Sequence, residues 1–263
     1  RNVLDRCRLF RLELLFISNA YDFTRQWIAQ SPFSAKTNKK TVMTQLLLRP
    51  NIELEPKALA IGGRRLEILC VKNLEPLIAE LEAEGRQEIA HFPFWVKIWE
   101  ASIVLTDWLV HTGLDKNQEI LEIGAGMGIT GLFLGAFGHR VTLTDNHADA
   151  LALMEKNAAH NKIETARVSA LDWHKPNTDE TWDIICGSEL IYRKSDVDPV
   201  IEILKKKLKS GGTAYLAHDI ARMSMMEFLM EAEKEFDLSH KGMAFTGMGE
   251  KKQIIIHTLK HKA

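Results

Sequence analysis

The chain is 263 residues long and 46% hydrophobic, enough for one substantial core but cramped for two full domains. A formal net charge of −1 and a pI near 6.9 provide no global field toward nucleic acid or lipid, so neither nucleic acid nor a membrane is an expected partner. Cys7, Cys70 and Cys186 are too few and too scattered for a disulfide framework or a zinc site, and no apolar run reaches the ~20 residues that cross a bilayer, so a cytoplasmic location is expected.

Composition shifts near residue 43. Residues 1–42 carry eight Lys or Arg against three Asp or Glu, and the first methionine is Met43. An Arg-rich targeting arm is one reading, but Asp5, Glu13 and Asp22 do not suit a transit peptide. The preferred expectation is an extension upstream of a start at Met43. Residues 43–117 are then expected to form a β and helical cap, and 118–263 the core.

Within the cap, Arg65–Val71 reads as a short strand. A helix follows, with Leu74, Leu77, Ile78 and Leu81 on one face. The segment HFPFWVKIWEAS, residues 91–102, contains Pro93 and three large aromatics after His91 and Phe92, which predicts an ordered loop. It enters a helix with Ile98, Ala101, Leu105, Trp108 and Leu109 at helical spacing.

From residue 119 the pattern alternates strand and helix. Strands are predicted at Glu119–Ile123, Arg140–Thr144, Ala166–Ala170, Trp182–Gly187 and Thr213–His218. The clearest helix carries Val197, Val200, Ile201, Leu204 and Leu208 on one face, with Gly211 and Gly212 expected to stop it. Such alternation implies a Rossmann-like, mostly parallel sheet with helices on both faces. After a helix bearing Met225, Phe228, Leu229, Ala232 and Phe236, strands near Phe236–His240 and Gln253–Leu259 should form a C-terminal antiparallel hairpin.

The first core strand runs into Gly124-Ala-Gly-Met-Gly-Ile-Thr-Gly131 at the start of a helix. Glycines allow sharp turns and close approach of backbone to a ligand. The same string matches the dinucleotide fingerprint, so alone it does not separate a nicotinamide cofactor from S-adenosylmethionine. Glu122 separates them better. A carboxylate would repel a pyrophosphate, whereas the ammonium and sulfonium of S-adenosylmethionine would favour it. About 75 residues of cap also precede the first core strand, whereas a dehydrogenase fingerprint opens its domain.

Asp145 follows at the end of the second strand, placed to accept from ribose hydroxyls or merely to cap a helix. Asp172 could accept from the adenine amino group. Trp173 offers an apolar face to the ring, or is simply core. Their order at successive strand ends, where open α/β sheets bind ligands, favours the functional reading.

Together these segments resemble the seven-β-strand protein methyltransferases, the group of lysine methyltransferases that also includes a histidine methyltransferase. KIWEASIVLTDWL, LEIGAGMGITG, VTLTD, ALDW, GSELIY and AHDIAR carry the resemblance, which spans roughly residues 91–220. It implies S-adenosylmethionine as cofactor, with Trp99 lining the site and Gly124, Ala125 and Gly126 wrapping the methionine portion. Asp145 would take the ribose, Trp173 the adenine, and Ser188 the opening after the fourth core strand. Many lysine enzymes of the group carry Asp-x-x-Tyr there. This chain has Glu189-Leu-Ile-Tyr192, like the histidine-directed variant.

The resemblance casts Glu189 and Tyr192 as catalytic. A carboxylate stabilises a lysinium rather than deprotonating it, so Glu189 is expected to orient a cationic acceptor, or a neutral imidazole. The bland alternative for Tyr192 is an aromatic covering the core. The acceptor is expected to be a Lys or His side chain of a specific protein. A small-molecule N-methyltransferase and a silent cofactor-binding fold are the alternatives. His147, His160, His174 and His218 are not at metal-ligand spacing, so no metal is expected. The methionines of 223–230 read as an adaptable helix face against the sheet, and Lys205–Lys209 as a solvated helix end.

Overall fold

Leu54–Ile61 (β1) and Arg64–Val71 (β2) pair antiparallel from Leu54 opposite Val71 to Ile61 opposite Arg64. Gly62 and Gly63 join them with φ of 58° and 80°, as tight hairpin turns demand. The computed structural model describes residues 48–85, 93–247 and 250–262, so the extension at 1–42, Met43, Cys7, His91 and Phe92 lie outside the described residues. β1 had no counterpart in the sequence reading. Pro56 and Lys57 interrupt its alternation, and half of its positions are exposed, so no apolar period marks it.

Helix α1 (Glu75–Ala83) ends near Gly85, whose φ is 68°. A single 3₁₀ turn spans Phe94–Val96, then α2 (Glu100–His111) starts after Trp99 in an extended conformation. The core then alternates β3 (Glu119–Glu122), α3 (Ile129–Ala136), β4 (Arg140–Asp145), α4 (Ala148–His160), β5 (Ala166–Ala170), β6 (Trp182–Ser188), α5 (Val197–Lys207) and β7 (Leu208–Asp219). Helix α6 (Met225–Ala232) leads into β8 (Phe236–Gly247) and β9 (Glu250–His261).

The seven core strands lie in the order β5-β4-β3-β6-β7-β9-β8. The pairs from β5 through β7 are parallel, while β9 runs antiparallel to both β7 and β8. This is the expected mostly parallel sheet with a C-terminal antiparallel hairpin. One apolar layer joins α2, α3, α4 and the β1–β2 hairpin to one face, including Leu105, Leu109, Phe133 and Met154. The other places Val200, Ile201 and Leu204 of α5, with Phe228 of α6, on the opposite face. Full burial of each such side chain stabilises by about 1.5–3 kcal/mol.

Two local expectations are corrected. Helix α5 stops at Lys207, four residues before Gly211, and Leu208 is already extended. The glycines lie inside β7, where Gly211 has φ +78° and the register against β6 slips between Trp182 and Ile184. They accommodate a bulge. The methionines do not pack as a face against the sheet: only Met225 is buried, and Met223, Met226 and Met230 are 76%, 57% and 65% exposed.

Strand order reverses between β4-β3 and β6-β7, so the carboxyl ends of β3 and β6 open a crevice. Open α/β sheets bind ligands at such a switch point. Glu122, the glycine loop, Ser188 and Glu189 all lie there.

Candidate active site

The loop after β3 is held open by backbone geometry that only glycine adopts readily. Gly124, Gly126 and Gly128 have φ of 57°, 55° and 74°. A Cβ at Gly124 would lie 2.8 Å from the side chains of both Leu190 and Trp173, and at Gly126 3.4 Å from the Trp95 backbone. The loop is therefore walled by the segments after β5 and β6 and by the Phe94–Val96 turn.

Its amides are already committed. Ala125 N–H donates to the Thr144 carbonyl at 2.9 Å, Gly126 N–H to Asp145 Oδ2 at 2.9 Å, and Gly128 N–H to the Ala125 carbonyl at 2.7 Å. Gly131 N–H donates to Glu122 Oε2 at 2.8 Å. A pyrophosphate would find these donors engaged, with the Asp145 carboxylate beside them. The dinucleotide alternative loses its main attraction, and a ligand with a cationic end is favoured.

Glu122 is fully buried beneath the loop, and its carboxyl meets the first turn of α3. Burial above all, with the neighbouring Asp145 charge, pushes its pKa up to about 8. Asp145 is half-buried at the end of β4, its Oδ1 accepting from His147 N–H at 2.9 Å. Trp173 covers Gly124. Asp172 Oδ1 accepts from His174 N–H at 2.9 Å, which fixes the turn presenting Trp173.

Across the crevice, Ser188 ends β6 and Glu189 follows with φ +54°, unusual for a residue with a side chain. Glu189 is 3% exposed. Its Oε1 accepts from Asp219 N–H at 2.7 Å, and its Oε2 pairs with Arg222 Nε. The guanidinium carbon stands 4.6 Å above the Tyr192 ring and 5.9 Å above Trp99. Phe94 stacks on Tyr192 at 5.0 Å, while Trp99 meets Tyr192 edge-on at 6.2 Å. Trp99 Nε1 donates to the Phe94 carbonyl at 3.2 Å, tying the turn to α2. Burial holds the Tyr192 hydroxyl protonated far above neutral pH.

The fold thus brings Trp173 against Gly124 and the Trp95 backbone against Gly126, while Trp99 and Tyr192 join that wall through Phe94, and Glu189 through Arg222 over the Tyr192 ring. Phe94, Trp95 and Arg222 were not singled out from sequence. AHDIAR was quoted only as a motif, and its arginine acquires meaning through the Glu189 contact.

The residues present suit S-adenosylmethionine. Gly124–Gly126 would accommodate its methionine portion, Asp145 its ribose, and Trp173 its adenine. Bound there, it would supply an activated methyl group to a nearby nucleophile.

Sheet order and loop define the S-adenosylmethionine-dependent methyltransferase fold of seven strands. A solved precorrin-6y C5,15-methyltransferase from Geobacter metallireducens superposes with TM-score 0.52 and 14% identity, covering 64% of this chain and 91% of that one. That likeness speaks for the fold alone. The family model described as "Lysine methyltransferase" matches residues 79–235, more than half of the chain, and the chain belongs to that family. Protein N-lysine methyltransferase METTL21A of Xenopus tropicalis is 32% identical over 101 residues, 36% of this chain and 46% of that protein. Histidine protein methyltransferase 1 homolog of Dictyostelium discoideum is 29% identical over 128 residues, 46% of this chain and 41% of that protein. The chain therefore spans less than half the length of these two relatives.

Proposed function

We propose that the protein transfers a methyl group from S-adenosylmethionine to a Lys or His side chain of a protein partner. The observation that carries this reading is the crevice itself, with the glycine loop and Asp145 on one wall and an aromatic box with Glu189 and Arg222 on the other. Methyl transfer from a sulfonium is an in-line displacement that needs positioning more than proton transfer. Trp99, Tyr192 and Phe94 supply rigid apolar walls that exclude water from the acceptor.

Glu189 acts through Arg222. Its carboxylate is saturated by the Asp219 N–H and the guanidinium, so an acceptor meets a compensated pair instead of a bare negative charge. The Tyr192 hydroxyl oxygen accepts from an N–H of a lysine acceptor and so holds the nitrogen with its lone pair forward. Glu122 and Asp145 fix the loop by accepting its amides, and the Asp145 carboxylate favours a cationic ligand.

A protein acceptor fits the surroundings better than a metabolite. Ile220, Met223, Met226 and Met230 are exposed on the segment that carries Arg222, so apolar surface borders the opening. Among the described residues no helix is long and apolar enough to cross a membrane. The test is incubation with methyl-labelled S-adenosylmethionine in extract from cells lacking the protein. A labelled protein band is the expected result. Label confined to small molecules would favour a metabolite methyltransferase, and no label at all would favour a silent fold.

A further inference from the structure

The indole of Trp95 is 93% hidden from solvent, and its Nε1–H has no hydrogen-bond partner among the described residues. Buried indole N–H groups almost always find an acceptor, because an unpaired one keeps the full cost of leaving water. Trp99, four residues on, obeys that rule by donating to the Phe94 carbonyl at 3.2 Å. Trp95 has no such outlet within its own turn.

Its position indicates what the acceptor is. The Trp95 backbone packs against Gly126, where a Cβ would come within 3.4 Å of its Cα and 3.5 Å of its carbonyl oxygen. The ring stacks on His147 with centroids 5.1 Å apart. Gly126 and His147 are the two residues whose backbone N–H groups grip Asp145, one on each carboxylate oxygen. Trp95 therefore touches both residues that hold the carboxylate proposed to accept from the ribose. A ribose hydroxyl that donates to Asp145 keeps lone pairs for a donor on its other side.

We propose that Trp95 is a cofactor-binding residue whose Nε1–H donates to a ribose oxygen of S-adenosylmethionine. The inference rests on the cofactor reading above and adds a contact that pairs with Asp145. It also gives the Phe94–Val96 turn a double role. Phe94 faces the acceptor side through Tyr192, and Trp95 faces the cofactor side through Gly126.

The test is Trp95→Phe, which keeps an aromatic ring over His147 and removes the N–H. Calorimetry of the full chain is run with two probes: S-adenosylhomocysteine, and 5′-methylthioadenosine, which keeps the ribose but lacks the amino acid. Loss of one neutral hydrogen bond should weaken both probes roughly five- to tenfold. The smaller ring gives up some buried apolar contact and lowers the unfolding temperature modestly, so affinities are compared well below it. Unchanged affinity for both probes overturns the proposal. Weakening of S-adenosylhomocysteine alone overturns the ribose assignment, since the contact would then lie at the methionine end. Wild-type protein that binds neither probe refutes the cofactor reading itself. A second measurement needs no variant: the Trp95 indole proton, assigned by triple-resonance spectroscopy, should move downfield and exchange more slowly on adding S-adenosylhomocysteine. A stationary resonance overturns the proposal.

Discussion

Glu122 and Glu189 are both buried carboxyl groups at the carboxyl ends of the paired strands β3 and β6, yet their environments differ. Glu122 faces backbone amides and no cation, so its neutral form is retained up to about pH 8. Its folded pKa lies above the unfolded value. The folded chain therefore holds a proton that the unfolded chain has released, and this contribution to stability falls as pH rises from about 4.5 to about 8. Glu122→Gln should remove that slope in denaturant titrations across the same window and be the more stable form above pH 8. An unchanged slope would mean the carboxyl is ionised when folded. Glu189 instead anchors Arg222. Glu189→Ala leaves a guanidinium and the Asp219 N–H without their acceptor, and breaking a buried pair in this way costs about 3 kcal/mol. Glu189→Gln preserves the shape and should cost less, while lowering transfer to a protein acceptor about tenfold or more. Cofactor affinity measured by calorimetry should stay within about twofold in both variants, since neither oxygen faces the loop amides.

At the scale of elements, α6 and the turn before it carry the proposed substrate contact. Phe228 and Ala232 hold the helix on the sheet, and Ser224 Oγ donates to the Ile191 carbonyl at 2.5 Å, fixing the turn beside Tyr192. Met223, Met226 and Met230 are left outward, where flexible thioethers suit an irregular partner surface. Replacing all three with Ser should raise KM for the protein acceptor about tenfold and leave kcat and cofactor affinity unchanged. Equal kinetics in the triple variant would remove this face from the acceptor contact. The helix is legible in the sequence, but its orientation is not, because methionines at helical spacing do not distinguish a buried face from an exposed one. The same limit applied elsewhere. Strands β3, β4 and β6 were readable as short, largely buried runs inside the sheet, and the edge strand β5 by its place in the strand–helix alternation. β1 was not, since Pro56 and the run of exposed positions from Pro56 to Ala58 erase its period. Gly211 and Gly212 read as a helix stop, but sequence alone does not tell a C-terminal glycine from one that absorbs a bulge in the next strand.

For the whole molecule, the decisive property is topological. The glycine loop was ambiguous in the sequence because it is a local motif, and the identity of its ligand depends on groups that arrive from β4, β5 and the turn before α2. Asp145 is 19 residues from Gly126, and Arg222 is 33 residues from Glu189; these contacts exist only once the strand order brings them together. A ligand seated at the switch point should therefore couple segments far apart in sequence. S-adenosylhomocysteine at a hundred times its dissociation constant should raise the unfolding free energy by about 2.7 kcal/mol. Amide exchange should slow together in residues 94–99, 124–128, 145–147 and 172–173, because one molecule would bridge all four. NAD at the same concentration should leave both the unfolding curve and the exchange pattern unchanged, since the amides a pyrophosphate needs are engaged within the loop. Stabilisation by NAD, or protection restricted to residues 124–128, would contradict a site assembled by the sheet and return the loop to a purely local motif.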